Sequence, residues 1–138
     1  MKNLVIGQSG GPTAVINASL YGAVKAFRES GADGHVLGMI NGIEGFLADH
    51  VMDLSTDLSD KELELLKLTP AAYLGSCRYK LPADLDSEVY PAIFDNFREM
   101  NIGYFLYVGG NDSMDTVDKL SRYAEKIGSD VKFIGIPK

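Results

Sequence analysis

The sequence is poor in the residues that build disulfide, zinc and triad chemistry. It holds one cysteine, Cys77, and two separated histidines, His35 and His50, in 138 residues. A single thiol excludes an internal disulfide framework and a cysteine-based zinc site. No Ser-His-Asp set or cluster of metal-ligand types surrounds either histidine, so both read as structural or surface groups. Basic residues are few: 13 against 19 acidic ones, for a net charge of −6. That balance removes the general electrostatic footprint of a nucleic-acid or anionic-membrane binder. Phosphate recognition, if present, must come from local geometry. Long apolar runs are missing as well. The run Tyr104–Val108 is far short of the roughly 20 residues needed to span a bilayer. Leu4-Val5-Ile6 is too short for a signal-peptide core. The expectation is a soluble, cytoplasmic protein with Cys77 reduced.

What is present is ordinary globular material. The hydrophobic fraction is 46% and the charged fraction 23%, and the length suits one domain. Glycine is plentiful, at 15 residues, which points to tight turns and close backbone approaches. Apolar spacing alternates between two periods. Leu4–Ile6, Val36–Ile40, Gly103–Val108 and Val131–Ile136 read as strands. The stretch with Ile16, Leu20, Val24 and Phe27 reads as a helix that Thr13 caps and Gly31 ends. Leu58–Leu68 reads as a short helix stopped by Thr69-Pro70. A helix over about 86–100 places Val89, Ile93, Phe97 and Met100 on one face. Another, after Ser113, places Met114, Val117, Leu120, Ala124 and Ile127 inward.

This alternation predicts a three-layer α/β architecture, a parallel sheet with helices on both faces. Its ligand edge is expected at the carboxyl ends of the strands, near a switch in strand order. The sequence stops at a strand end, where such a fold would begin another loop and helix. The expectation is therefore a piece of a longer protein.

Two loops at predicted strand ends could carry chemistry. Gly7-Gln8-Ser9-Gly10-Gly11-Pro12-Thr13 lies between a strand and a helix start, where backbone N–H groups can face an anion. Its spacing is neither G-x-G-x-x-G nor a Walker A pattern, and a plain tight turn explains it equally well. Gly109-Gly110-Asn111-Asp112-Ser113 repeats the arrangement. Asp112 would repel a phosphate seated directly on that helix start. It could instead hold Mg²⁺ beside phosphates, or act only as an acidic helix-start residue. Arg78 and Lys80 lie in an irregular stretch, where an arginine fork could grip phosphate or simply face solvent. Lys138 ends the chain.

These segments together resemble the phosphofructokinase family. Gly7–Pro12 followed by Ala14-Val15-Ile16-Asn17 resembles its opening donor loop and helix. Gly42-Ile43-Glu44-Gly45-Phe46 resembles its G-x-x-G-[YF] segment, and Leu74-Gly75-Ser76-Cys77-Arg78 its L-G-[ST]-[SAC]-R segment. Val108–Ser113 resembles the GGDGS loop, and Ile134–Lys138 the strand before the TIDND motif. The resemblance implies a Rossmann-like fold. It also implies phosphoryl transfer with Mg²⁺ from ATP or pyrophosphate to the 1-hydroxyl of fructose 6-phosphate, in glycolysis or gluconeogenesis.

Two departures bear on the donor. Asp112 replaces a glycine and Lys138 replaces another, and both substitutions resemble the pyrophosphate-dependent branch. A carboxylate at Asp112 would exclude the nucleotide α-phosphate, while an ammonium at Lys138 would stabilise charge on the transferred group. By the same resemblance, Gly10, Gly11, Arg78 and Ser113 would bind pyrophosphate, with Asn17 a weaker carry-over. Asn111, standing where the family commonly has an aspartate, and Asp112 would face the metal. The family's catalytic Asp lies beyond Lys138. The chain therefore resembles a donor half-site, expected to be inactive alone and to associate with further copies. An ATP-dependent enzyme of the family and a non-catalytic phosphate-binding domain remain the alternatives.

Overall fold

The computed structural model describes residues 3–8, 14–30, 34–40, 42–48, 50–54, 81–82 and 84–137, with backbone alone for 14–19. The predicted helix at Leu58–Leu68, the Thr13 cap and the Gly31 stop lie outside these residues.

In chain order the elements are β1 (Asn3–Gln8), α1 (Ala14–Glu29), β2 (Val36–Met39), α2 (Gly42–Leu47) and β3 (Val51–Asp53). They continue with α3 (Val89–Glu99), β4 (Ile102–Gly109), α4 (Asn111–Ile127) and β5 (Lys132–Pro137). The strands form one sheet in the order β3-β2-β1-β4-β5. β1 pairs in parallel with β2 and β4, and β4 with β5. The expected parallel sheet is thus present, but its β3 edge runs antiparallel to β2. Only eleven residues, 40–50, connect β2 to β3, and a parallel return needs a crossover of a dozen or more.

The helices divide between the faces for a topological reason. The β1-α1-β2 unit steps across the sheet in one direction and β4-α4-β5 steps in the other. Crossovers of one hand then land on opposite faces. On the α1 face, Leu4, Ile6, Leu106 and Val108 pack with Leu20 and Val24. On the other face, Val5, Phe105 and Tyr107 pack with Phe46, Phe97 and Leu120. Phe97 is the hub of the second core, in ring contact with Phe46, Phe94, Phe105 and Phe133.

The predicted inward faces hold in their middles. Ile93, Phe97, Leu120 and Ala124 are buried. Ile127 is not: it is 45% exposed, because α4 ends there and Gly128, in the left-handed conformation at φ 71°, caps the helix.

The segment Gly42–Phe46, quoted above for the family resemblance, lies in the helix α2. Its second glycine is required by packing. A Cβ on Gly45 would lie 1.5 Å from the Ile40 carbonyl oxygen. The Gly45 carbonyl also accepts N–H bonds from Ala48 (3.0 Å) and His50 (2.8 Å). This motif therefore holds β2, α2 and β3 together.

At the amino-terminal edge of the sheet, Asn3 joins three elements. Its backbone N–H donates to the Asn101 carbonyl at 2.8 Å and its side-chain Nδ2 to the Met100 carbonyl at 2.7 Å. Its Oδ1 accepts the His35 N–H at 2.8 Å. His35 Nδ1 in turn lies 2.8 Å from Asp53 Oδ2. His35, about half exposed, is thus tied into the fold, in keeping with its reading as a structural or surface group.

Gly45→Ala forces a methyl into the Ile40 carbonyl, and overpacking of this kind costs about 1–3 kcal/mol or more. Urea denaturation should show a loss of about 3 kcal/mol. A loss below half of that would mean the β2–α2 turn opens easily and contradict this role.

Candidate functional site

β1 sits at the point where the strand order reverses, with β2 on one side and β4 on the other. In open α/β sheets ligands collect outside the carboxyl ends of the strands at such a reversal. Register sets what meets there. Gln8, the last residue of β1, pairs with Val108. Gly109, the last residue of β4, pairs with Pro137, the last of β5. Three strand ends therefore lie side by side. The sequences that follow them are 9–13, Gly110–Ser113 and Lys138. The strand β1 extends one turn of the pleat further than predicted, so Gln8 belongs to it and is fully buried.

Gly10, Gly11, Arg78 and Lys138 lie outside the described residues, as do Cys77 and Lys80. Nothing is described of the Asn17 side chain. The described site residues are Asn111, Asp112 and Ser113, which form the first turn of α4 behind the N-cap Gly110. Gly110 offers no side-chain cap. Helix geometry leaves the first-turn N–H groups without partners inside the helix, and the helix dipole adds partial positive charge. The Met114 N–H already closes the first turn onto the Gly110 carbonyl at 3.1 Å. Asn111 and Asp112 are exposed and Ser113 is buried, 2% exposed. Thr116 Oγ1 donates to the Asp112 carbonyl at 3.1 Å, fixing that turn. The arrangement gives one exposed carboxylate and one exposed amide on a positive helix end. Among the described residues no group of three or more His, Cys, Asp or Glu side chains is placed to hold a metal ion.

A cleft of about 490 Å³ opens at the opposite edge, lined by Phe94, Phe97, Arg98, Asn101, Ile127 and Asp130 among others. It is a poor anion site. α3 and α4 both end there, bringing the negative ends of two helix dipoles together, and Asp130 adds to them.

Sequence reasoning missed the contacts that hold Leu81, Pro82 and Asp86 against α3 and α4. Lys119 Nζ donates to the Leu81 carbonyl at 2.9 Å and pairs with Asp115 Oδ2 at 2.7 Å. The Tyr90 hydroxyl donates to the Pro82 carbonyl. Lys126 pairs with Asp86. The only signal in the sequence is that Asp112, Asp115 and Lys119 recur on one face of a helix, which reads as a solvated face.

The strand order, its reversal at β1 and a glycine-led helix start beside that reversal define an open α/β protein with its candidate site at the carboxyl edge of the sheet. The comparisons specify it further. The family profile described as Phosphofructokinase matches residues 3–138, and the chain belongs to that family. It is 42% identical over 139 residues to the pyrophosphate–fructose 6-phosphate 1-phosphotransferase of Halomonas elongata, and 40% identical over 135 residues to that of Rhodospirillum rubrum. The crystal structure of a pyrophosphate-dependent phosphofructokinase from Nitrosospira multiformis superposes with a TM-score of 0.91 at 40% identity. The alignments cover 98–99% of this chain. The chain spans about a third of the relatives' length: 33%, 32% and 33% respectively. No helix among the described residues is long and apolar enough to cross a membrane.

The Lys126–Asp86 pair has a pH signature. The hydrogen bond from Lys126, with its charge, holds the Asp86 carboxyl below its ordinary value of 3.8. The same bond from Asp86 raises Lys126 above 10.5. Stability from the pair is therefore complete between those values. It is lost as pH falls through the lowered carboxyl value or rises through the raised ammonium value. Both side chains are on the surface, so the effect is small. Lys126→Met should lower stability slightly at pH 7, and the loss should vanish in acid below the lowered carboxyl value. An equal loss at both would show that the ion pair is not its source.

Proposed function

We propose that this chain is the donor-binding part of a cytoplasmic enzyme of glycolysis or gluconeogenesis. That enzyme transfers a phosphoryl group from pyrophosphate to the 1-hydroxyl of fructose 6-phosphate. The observation that carries the reading is the place of Asp112. It is exposed in the first turn of α4, at the strand-order reversal, where it crowds a third phosphate and its nucleoside. The relatives, named as pyrophosphate–fructose 6-phosphate 1-phosphotransferases, support the same donor and acceptor.

In this reading Gly10 and Gly11 bring backbone N–H groups to pyrophosphate, and Arg78 grips it with a two-pronged fork. The Ser113 N–H adds the helix start. Lys138 follows the strand end that pairs with Gly109 and offsets charge gathering on the transferred and leaving phosphates. Asn111 and Asp112 fit Mg²⁺, which commonly uses one or two carboxylates together with substrate phosphates. The ion would supply charge neutralisation between the two phosphates.

Donor choice tests the reading in the complete enzyme containing this chain. Wild type should use pyrophosphate and not ATP. Asp112→Gly combined with Lys138→Gly should cut pyrophosphate turnover about 100-fold, the scale of losing one transition-state donor, while ATP use rises. Equal use of both donors by wild type, or no gain with ATP in the double variant, would count against Asp112 as the selector.

The same reading expects the 138-residue chain, taken alone, to associate as a homo-oligomer. β5 is an edge strand. Beside it an apolar groove of about 360 Å³ lies between Phe27 of α1 and the exposed Tyr104 and Ile134. Unpaired edges and apolar faces favour association. Sedimentation of the 138-residue chain at tens of micromolar should show dimers or larger species, and a single monomeric boundary would contradict it.

A further inference from the structure

We propose that Thr116 is a positioning residue for the donor site. Its hydroxyl holds the peptide between Asp112 and Ser113, and so aims the Ser113 N–H, without touching the donor. This rests on the pyrophosphate reading above, in which that N–H faces the donor. Thr116 lies one turn behind Asp112 in α4, is 4% exposed, and donates from Oγ1 to the Asp112 carbonyl at 3.1 Å. In an α-helix that carbonyl is already the acceptor for the Thr116 backbone N–H, four residues on. The Asp112 carbonyl therefore takes two bonds from one residue. A threonine bonded back in this way adds no stability to a helix and often bends it. Threonine is also a weaker helix former than alanine or leucine. Burial alone would be served better by either, so the hydroxyl has a different use.

A peptide unit is planar and trans, so its carbonyl and its N–H point in opposite directions. The plane that carries the Asp112 carbonyl also carries the Ser113 N–H. The carbonyl points down the helix toward Thr116, and the N–H points out of the helix start. Like the other N–H groups of a first turn, it has no acceptor inside the helix. The Met114 N–H closes the first turn, onto the Gly110 carbonyl at 3.1 Å. Ordinarily a capping side chain steadies such a turn by bonding the second or third N–H, here Asp112 or Ser113. Gly110 supplies no such cap. Thr116 steadies the turn from its carbonyl side instead, which leaves the N–H open for a phosphate oxygen. Two donors on the carbonyl also polarise the amide and strengthen its N–H as a donor. The helix as a body is seated on β5, where a Cβ on Gly135 would come within 2.5 Å of the Met114 sulfur. Packing thus sets where the turn lies, and the Thr116 bond sets how its peptide points.

The test uses the complete enzyme containing this chain, assayed with pyrophosphate and fructose 6-phosphate, and the isotopically labelled 138-residue chain for spectra. Thr116→Val keeps the shape and removes the hydroxyl. It should raise KM for pyrophosphate about fivefold, the scale of one weakened hydrogen bond, and change kcat less than about twofold. KM for fructose 6-phosphate should stay unchanged. Thr116→Ser restores the hydroxyl and should recover most of the loss. Thr116→Ala should match Thr116→Val, and serves if the valine variant does not fold. In spectra, the Asp112 carbonyl and the Ser113 amide should shift in the valine and alanine variants and return toward wild type in the serine variant. The amides of Leu120 and Ala124 should not move. An unchanged pyrophosphate KM, both KM values rising together, or a serine variant no better than the valine one would overturn the proposal. Wild type inactive with pyrophosphate would instead overturn the donor assignment on which it rests, while the Asp112 carbonyl shift would still confirm or refute the Thr116 bond.

Discussion

The structure depends on the parallel pairing of β1 with β4. These strands are distant in sequence, and everything between them is an excursion that must return to one register, Gln8 opposite Val108. That register decides which side chains face which helix layer, since a slip of one residue would exchange the two faces. It also decides what chemistry shares an edge. With Gln8 opposite Val108 and Gly109 opposite Pro137, three separate stretches of sequence end at one edge. The reversal of strand order leaves room there, because α1 and α4 leave the sheet toward opposite faces.

The glycine-bearing motifs that made the family resemblance visible do different physical work. Gly42–Phe46 is structural: Gly45 lies against the Ile40 carbonyl, Phe46 is fully buried, and Asn96 Nδ2 donates to the Phe46 carbonyl at 2.8 Å. Gly109 and Gly110 instead bring a strand end and a helix start together without a side chain over the first-turn N–H groups. A capping Ser or Asp at Gly110 would stabilise the helix by a few tenths of a kcal/mol relative to glycine, yet would occupy those groups. A glycine-led helix start of this kind suits an anion site, and the proposed role of the exposed Asp112 carboxylate is to limit the anion's size.

The sequence made the centre of the fold legible and left its margin obscure. β1, β4 and the buried faces of α3 and α4 could be read because their apolar residues follow strand or helix periods that the sheet then satisfies. β3 could not. None of its three residues is fully buried. Hydrogen bonds from Leu54 to Val36 and from Ile40 to His50 hold its ends, and Arg28 binds the Leu54 carbonyl. α2 was missed because its six residues show no one-sided stripe and are buried on several sides. In the candidate site, the helix-start location of Asn111, Asp112 and Ser113 followed from the sequence, since turn glycines and a new apolar period mark it. The bonds from Lys119 and Tyr90 did not, because their acceptors are backbone carbonyls that carry no residue-type signal.

The most direct measurement of the central claim is a titration of the isotopically labelled 138-residue chain with pyrophosphate and Mg²⁺, followed by amide chemical shifts. The account predicts that the largest shifts fall at the carboxyl ends of β1, β4 and β5 and in the first turn of α4, residues 8–13, 109–114 and 137–138. Shifts concentrated instead at the amino-terminal edge, around 98–102 and 127–131, would contradict it.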